Sequence, residues 1–553
     1  MPKGGMKMVE RKTRYAGIVA CLIGICILSL AFSGNALAKK KIRLNVGFGS
    51  EEVLKTLQTT PFQVSEMGAV FWPLVYDQLW VLGPGPNYDP LPALATSWET
   101  EDYQTWRFHL VKNAKFHDGK PVTAEDVAFS LWYLPRDPVW AFPSNDINAK
   151  KDIKIIDKYT IEFTLARPFP GKYPPVDWMP ILPKHIWYEH KGRKITQFKN
   201  KKAIGSGPFK LKEFKSSQYI WMVKNKKYWG EQPHVDEVVF KGYGTEDGMK
   251  LAMKKGEIDF IGYSGVAAMS VKGYENVKNI DVNVSPGIAV VWLTFNLHKE
   301  TAVQDKVVRK AFLHGIDRDR IFKLVYRGYA QPADSFIYPE LDEYNPNLPK
   351  YEYNPELART MLKNAGYSDT DGDGILNDKT GQNIVLEFMA PSEWSDEVKM
   401  LKLIKEQVKE IGIGIKEKIL ELDTYYEFVY QPTQDEFDIT VSSEEPGPNG
   451  SWMWEFVRSK EGGGLGWNQS DYASAEMDET IINYLAETDI EKRKAYAFKL
   501  QEIMAEDLPC AVLVRPDLIG PYRTDKFEGH VATMGGFSNW INWWTYMKIK
   551  PKK

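Results

Sequence analysis

Strand-type and helix-type stretches alternate through both halves of this chain, an order that neither all-helical nor all-sheet layers can absorb. Trp106, Phe108 and Leu110 alternate as a strand, "HDGK" makes a turn, and Thr123 with Asp126 forms a capping box that starts a helix. "DGMKLAMKKGEIDFIG" (247–262) reads as helix, glycine stop and buried strand, the unit of an α/β sheet. "AIGSGPFKLKE" (203–213) sets two glycines and a proline before an alternating strand and predicts a crossing between lobes. Further on, "VVWLTFNLHK" is a strand, and two helices meet near Asp317. Asn354 and Pro355 then start a helix that Gly366 ends. An Asp-rich loop, a strand at "IVLEFMA", a helix over 397–411 and strands at "IGIKEKIL" and "FDITVSS" follow. The fold class is α/β, and without repeats or a long linker the lobes must be joined by crossing strands.

Residues 1–38 stand apart from this pattern and read as a secretory signal. Lys3, Lys7, Arg11, Lys12 and Arg14 make a basic start, Tyr15 to Phe32 is apolar, and Ala36 and Ala38 are small enough for cleavage after Ala38. An uncleaved anchor is the rival reading. Cys21 and Cys26 lie inside the apolar run, away from its end, which disfavours lipid attachment. About 515 residues remain, too many for one core. They hold a single cysteine, Cys510, so export must be survived by packing without an internal disulfide. The whole chain has net charge −2, and removing the basic leader makes the rest more acidic, which gives no case for nucleic acid.

Several segments carry a family resemblance: "PALATSWE", "WRFHLVKNAKFHDGKPVTAEDVAFSL", "IGSGPFKL", "MKLAMKKGEIDFI", "VRKAFLHGIDRDRIFKLVYRGYAQPA", "YNPELARTMLKNAGY" and "IKEQVKEIGIGIKEKILE". In that order they resemble the extracytoplasmic solute-binding proteins of ABC importers, family 5, which includes oligopeptide-, dipeptide- and nickel-binding proteins. The resemblance implies a two-lobed periplasmic-binding-protein clamshell with three domains, of the large cluster C type, with ligand enclosed between the lobes. On that reading lobe I is 39–80, 203–293 and 525–553, an extra domain spans 81–202, and lobe II is 294–524. It also implies a periplasmic or extracytoplasmic monomer that hands a peptide to membrane permease subunits.

The loop "DTDGDGILND" (369–378) lies inside the expected second lobe. Asp369, Asp371 and Asp373 offer oxygens on alternate residues, Gly374 permits a sharp turn, and Ile375 can offer its carbonyl, as in the first half of a calcium loop. The twelfth position is Thr380, not the bidentate Glu of an EF-hand, and a strand follows where a second helix would be needed. The expectation is a static Ca2+ staple with Asp378 as an added carboxylate; an ordinary Asp-Gly turn is the alternative.

For the ligand, peptide-binding members of the resembled family tend to carry a Trp and then an Asp for the peptide's amino terminus after the "FDI"-type strand. Here the segment is "FDITVSSEEPGPNGSWMW" (437–454), with serines where the Trp is expected and Glu444 or Glu445 near the Asp. Asn449, Trp452, Trp454 and Trp467 add amide and aromatic surface that suits a stacked sugar as well as a peptide, and Trp292 lies where the family often places a cleft aromatic. The main reading is peptide capture and the runner-up an oligosaccharide. No "HExxH", "GxSxG" or "GxxxxGK[ST]" appears, and the eight histidines are scattered, which argues against an enzyme and against a nickel site. A secreted glycosidase or peptidase remains the alternative of another class, since paired carboxylates are recognised only in three dimensions.

Overall fold

The computed structural model describes residues 41–48, 72–85, 88–136, 152–176, 178–191, 198, 200–262, 265–430, 435–447, 450–539 and 542–553. The expected signal segment 1–38 and Asn449 lie outside the described residues. No helix among the described residues is long and apolar enough to cross a membrane. Leu44–Lys553 form one compact unit, and the account below concerns that unit.

Two large sheets organise it. The seven-stranded sheet runs Ile280–Ser285, Leu518–Arg523, Phe260–Ile261, Arg43–Phe48, Glu237–Gly242, Tyr219–Lys224, Phe209–Lys215. The six-stranded sheet runs Ala330–Pro332, Cys510–Pro516, Val290–Phe295, Ile439–Glu444, Val385–Pro391, Gly414–Leu420. A separate four-stranded sheet, between Ala95 and Thr164, lies within the expected extra domain. There Trp106, Phe108 and Leu110 point inward as their alternation predicts, and Phe108 stacks on Phe163 at 5.5 Å. Helix Ala124–Tyr133 begins in the expected Thr123–Asp126 capping box. Asp317 and Asn354 accept the amide hydrogens of Arg320 and Leu357 and start their helices. The helix expected over 397–411 runs Ser395–Lys409.

Strand Val290–Phe295 is buried along its whole length, because it lies inside the six-stranded sheet with a core on each face. Val291, Leu293 and Phe295 enter one core and Val290 and Trp292 the other, the period-two alternation of a strand.

Sheet membership puts the crossings between the two large sheets at 286–289 and at Asp517. Strand Val290–Phe295 therefore belongs wholly to the six-stranded sheet and Leu518–Arg523 to the seven-stranded one, so the expected boundaries at 293 and 524 shift toward the N-terminus. The glycines of 203–213 serve a different junction: a Cβ at Gly205 would stand 1.9 Å from the Val75 carbonyl oxygen, where the chain enters edge strand Phe209–Lys215.

At the true crossing the two connections touch. A Cβ at Gly287 would stand 2.0 Å from the Pro516 carbonyl oxygen. Beside it Arg515 donates to the Gly287 carbonyl, pairs with both oxygens of Glu340 at 2.7 and 2.8 Å, and stacks over Tyr338. Gly287→Ala should therefore cost about 1–3 kcal/mol of stability, as overpacking does. A denaturant midpoint unchanged from the parent would contradict this close approach.

Candidate functional site

Strands Val385–Pro391, Gly414–Leu420 and Ile439–Glu444 are parallel and in register, so their carboxyl ends share one edge of the six-stranded sheet. Val290 pairs with Glu444, which puts that edge beside the crossing at 286–289. Carboxyl edges of parallel strands are where α/β sheets hold ligands, because the connecting segments splay apart there.

Each strand delivers side chains to this edge. After Pro391 comes Trp394 and the first turn of helix Ser395–Lys409, with Asp396 and Glu397. After Leu420 comes helix Leu422–Val429, carrying Tyr425 and Tyr426, and then Tyr430. The third strand ends in Glu444, followed by Glu445. Trp394 and Tyr425 are 5.8 Å apart, and Tyr426 stacks on Tyr430 at 6.2 Å. A buried polar ladder fixes the aromatic side. Tyr425 donates to the Val441 carbonyl at 2.7 Å, Ser442 donates to Gln469 at 2.6 Å, and Gln469 donates to the Tyr430 hydroxyl at 3.0 Å. From the other side Trp292 donates to Thr294 at 3.0 Å, and Thr294 donates to Gln469 at 3.3 Å.

Glu444 is half-buried, and its carboxylate has neither hydrogen-bond nor ion-pair partner among the described residues. Burial pushes its carboxyl up to about 7, and the charge of Glu445 adds to the rise. Glu397 is also pushed up to about 7 by burial; the neighbouring charge of Asp396 adds and that of Lys399 opposes. Lys399 is committed elsewhere, paired with Asp396 at 2.7 Å and 3.5 Å from Met269 Sδ. Burial raises the Tyr425 hydroxyl to about 12; hydrogen bonding with Ser442 and Thr440 opposes this and the charges of Glu444 and Glu397 add to it. Both carboxylates thus act on one phenol. Glu445 also acts on Tyr338, toward the crossing.

The sequence-predicted residues divide accordingly. Glu444 ends its strand and Glu445 follows it; next in the chain the Pro446 carbonyl accepts from Trp452 at 2.9 Å, and Trp452 meets Trp467 at 5.8 Å. Trp292 and Trp454 are 0 % exposed and belong to the core, a correction to their expected place in the cleft. Trp292 goes inward because its position on a strand with a core on each face leaves it no outward side. Glu397, Trp394, Tyr425, Tyr426 and Tyr430 were not foreseen. Glu397 gave no signal, because an acid in the first turn of a helix is what the helix dipole favours anyway.

In the Asp-rich loop, carboxylate oxygens of Asp369, Asp371 and Asp373 lie within 4.8 Å of one another. Gly372 and Gly374, at φ 81° and 87°, turn the backbone so that their amides donate to Asp369 at 2.7 and 2.9 Å. Ile375 donates its amide to Asp373 at 2.8 Å. Three exposed, all-oxygen donors fit a hard cation. Asp378 does not join them. It caps the next turn, accepting from the Thr380 and Gln382 amides at 2.8 and 2.9 Å, a correction to its expected role as a ligand.

Residues 89–463 match the family model of the bacterial extracellular solute-binding proteins, family 5 Middle. The chain is similar to the oligopeptide-binding protein AppA of Bacillus subtilis, with 30 % identity over 453 residues, 79 % of this chain and 80 % of that protein. The structure of AppA in complex with a nonapeptide superposes with a TM-score of 0.74 at 25 % identity, covering 93 % of this chain and 100 % of that one. DppA from Helicobacter pylori in complex with peptide STSA gives 0.74 at 26 % identity, covering 93 % and 99 %. A mannohexaose-bound periplasmic oligopeptide-binding protein of Thermotoga maritima shares the fold, with TM-score 0.74 at 21 % identity, covering 93 % and 99 %. The α/β multi-domain clamshell is thus the architecture of this chain.

Proposed function

Because the chain belongs to the bacterial extracellular solute-binding proteins, family 5, we propose that it is the receptor of an ABC importer, capturing short peptides for the permease. The observation that carries this reading is Glu444, a half-buried carboxylate without a partner among the described residues, at the carboxyl ends of parallel strands. A partly dehydrated carboxylate lacks a cation, and a peptide's α-ammonium supplies one. Tyr426, Tyr430, Trp452 and Trp467 offer apolar surface to peptide side chains. The same surface would stack a sugar, and the mannohexaose complex of a neighbour supports that second reading. A neutral sugar leaves Glu444 uncompensated, which favours the peptide.

Ligand touching both sheets would bind the closed arrangement better and shift the population toward it. The protein acts by binding and does no covalent chemistry. It works outside the cytoplasm as a monomer, after cleavage behind Ala38. Titration calorimetry of the chain from Lys39 onward with di- to pentapeptides and oligosaccharides, with products followed by mass spectrometry, tests this. Peptide binding near one to one without hydrolysis is expected. Sugar-only binding or appearance of products would overturn it.

Asp369, Asp371 and Asp373 hold a structural calcium ion in this reading, supported by their convergence and by the donor type. Ile375 stands beside them. At a hundredfold excess over its Kd, calcium should add about 2.7 kcal/mol to stability. The midpoint shift should vanish in Asp371→Asn; a shift that survives the substitution would place the ion elsewhere.

A further inference from the structure

We propose that Glu397 forms a second cation subsite beside Glu444, so that the preferred peptides carry a lysine or arginine side chain in addition to a free amino terminus. This inference rests on the peptide-binding reading above. Glu397 and Glu444 follow neighbouring parallel strands, Val385–Pro391 and Ile439–Glu444, and reach the same sheet edge. Tyr425 lies within the field of both. Like Glu444, Glu397 has no partner from another residue among the described residues. The nearest cation on its own helix, Lys399, is held by Asp396.

A second group lacks a partner at the same place. Tyr326 is 3 % exposed, its hydroxyl meets no hydrogen-bond partner, and it faces the charges of Glu397 and Asp396. A buried phenol left unpaired costs about 1–3 kcal/mol, so an isolated structural role for this corner is uneconomical. An incoming ammonium or guanidinium would neutralise Glu397, and a polar atom of the same ligand would meet the Tyr326 hydroxyl. A purely helix-stabilising role for Glu397 would require an exposed carboxylate at its ordinary acidity, since burial without a counter-charge works against it.

The chain from Lys39 onward is titrated at pH 8 with trialanine and with peptides in which lysine, norleucine or glutamate replaces each alanine in turn. The parent should bind at least one lysine peptide about tenfold tighter than its norleucine counterpart, and the glutamate peptides weakest. Glu397→Gln should bring the lysine-to-norleucine ratio to about one, and a melting midpoint at or above the parent's would show that the variant is folded. A ratio that persists in Glu397→Gln, or no lysine preference in the parent, overturns the second subsite while trialanine binding keeps the peptide reading. Failure of every peptide to bind overturns the peptide reading itself, and the second subsite with it.

Discussion

Peptide affinity should fall as pH drops through 7, and Glu444→Gln should both weaken binding and remove that pH dependence. With its carboxyl raised to about 7, Glu444 is largely protonated at pH 5.5 and largely charged at pH 8. An ammonium binds the charged form, so binding releases a proton below pH 7 and is strongest above it. Removing one partner of a desolvated charge pair costs about 2–5 kcal/mol, a loss of roughly 30-fold or more in Kd. Calorimetry at pH 5.5, 7 and 8 in buffers of different ionisation enthalpy would measure affinity and proton release together. Equal affinity at the three values in the parent would remove Glu444 from the ammonium site.

The ligand-free protein should be stabilised at pH 8, and not at pH 4.5, by replacing either raised carboxylate with glutamine. Glu397 and Glu444 have carboxyls lifted from 4.5 to about 7 in the folded chain. Between these values the folded state holds more protons than the unfolded state, so stability falls as pH rises from 4.5 to 7 and stays low above. A lift of that size corresponds to up to about 3 kcal/mol for each group. Glu397→Gln and Glu444→Gln should recover part of it at pH 8, read from urea midpoints without ligand. Loss of stability at pH 8 in both variants would mean that the carboxylates make structural contacts and are not waiting for ligand. Opposite signs for binding and stability are the signature of a site that sacrifices folding energy for recognition.

The sheet edge also explains why two foreseen tryptophans moved inward while two tyrosines emerged. Trp292 looked like a cleft residue by its place in the chain, but its strand is flanked by Cys510–Pro516 and Ile439–Glu444 and has a core on each face. Tyr426 and Tyr430 carried no signal in the sequence, yet they are 37 % and 39 % exposed at the end of the neighbouring connection. Which aromatic is wall and which is core follows from strand order, and strand order joins residues far apart in the chain.

What the sequence determined alone is local: the strand alternation at Trp106–Leu110, the Thr123 and Asn354 caps, the glycine stop at Gly256 and the three converging aspartates. Each depends on hydrogen bonds or side-chain spacing within a few residues, so the residues themselves carry the information. The sheet crossings beside Gly287 and Pro516, the burial of Trp292 and Trp454, and the convergence of Glu397 and Glu444 on Tyr425 were decided only by tertiary structure. They arise where segments distant in sequence exclude water from one another, and desolvation of a carboxylate belongs to the packed surroundings, not to the glutamate.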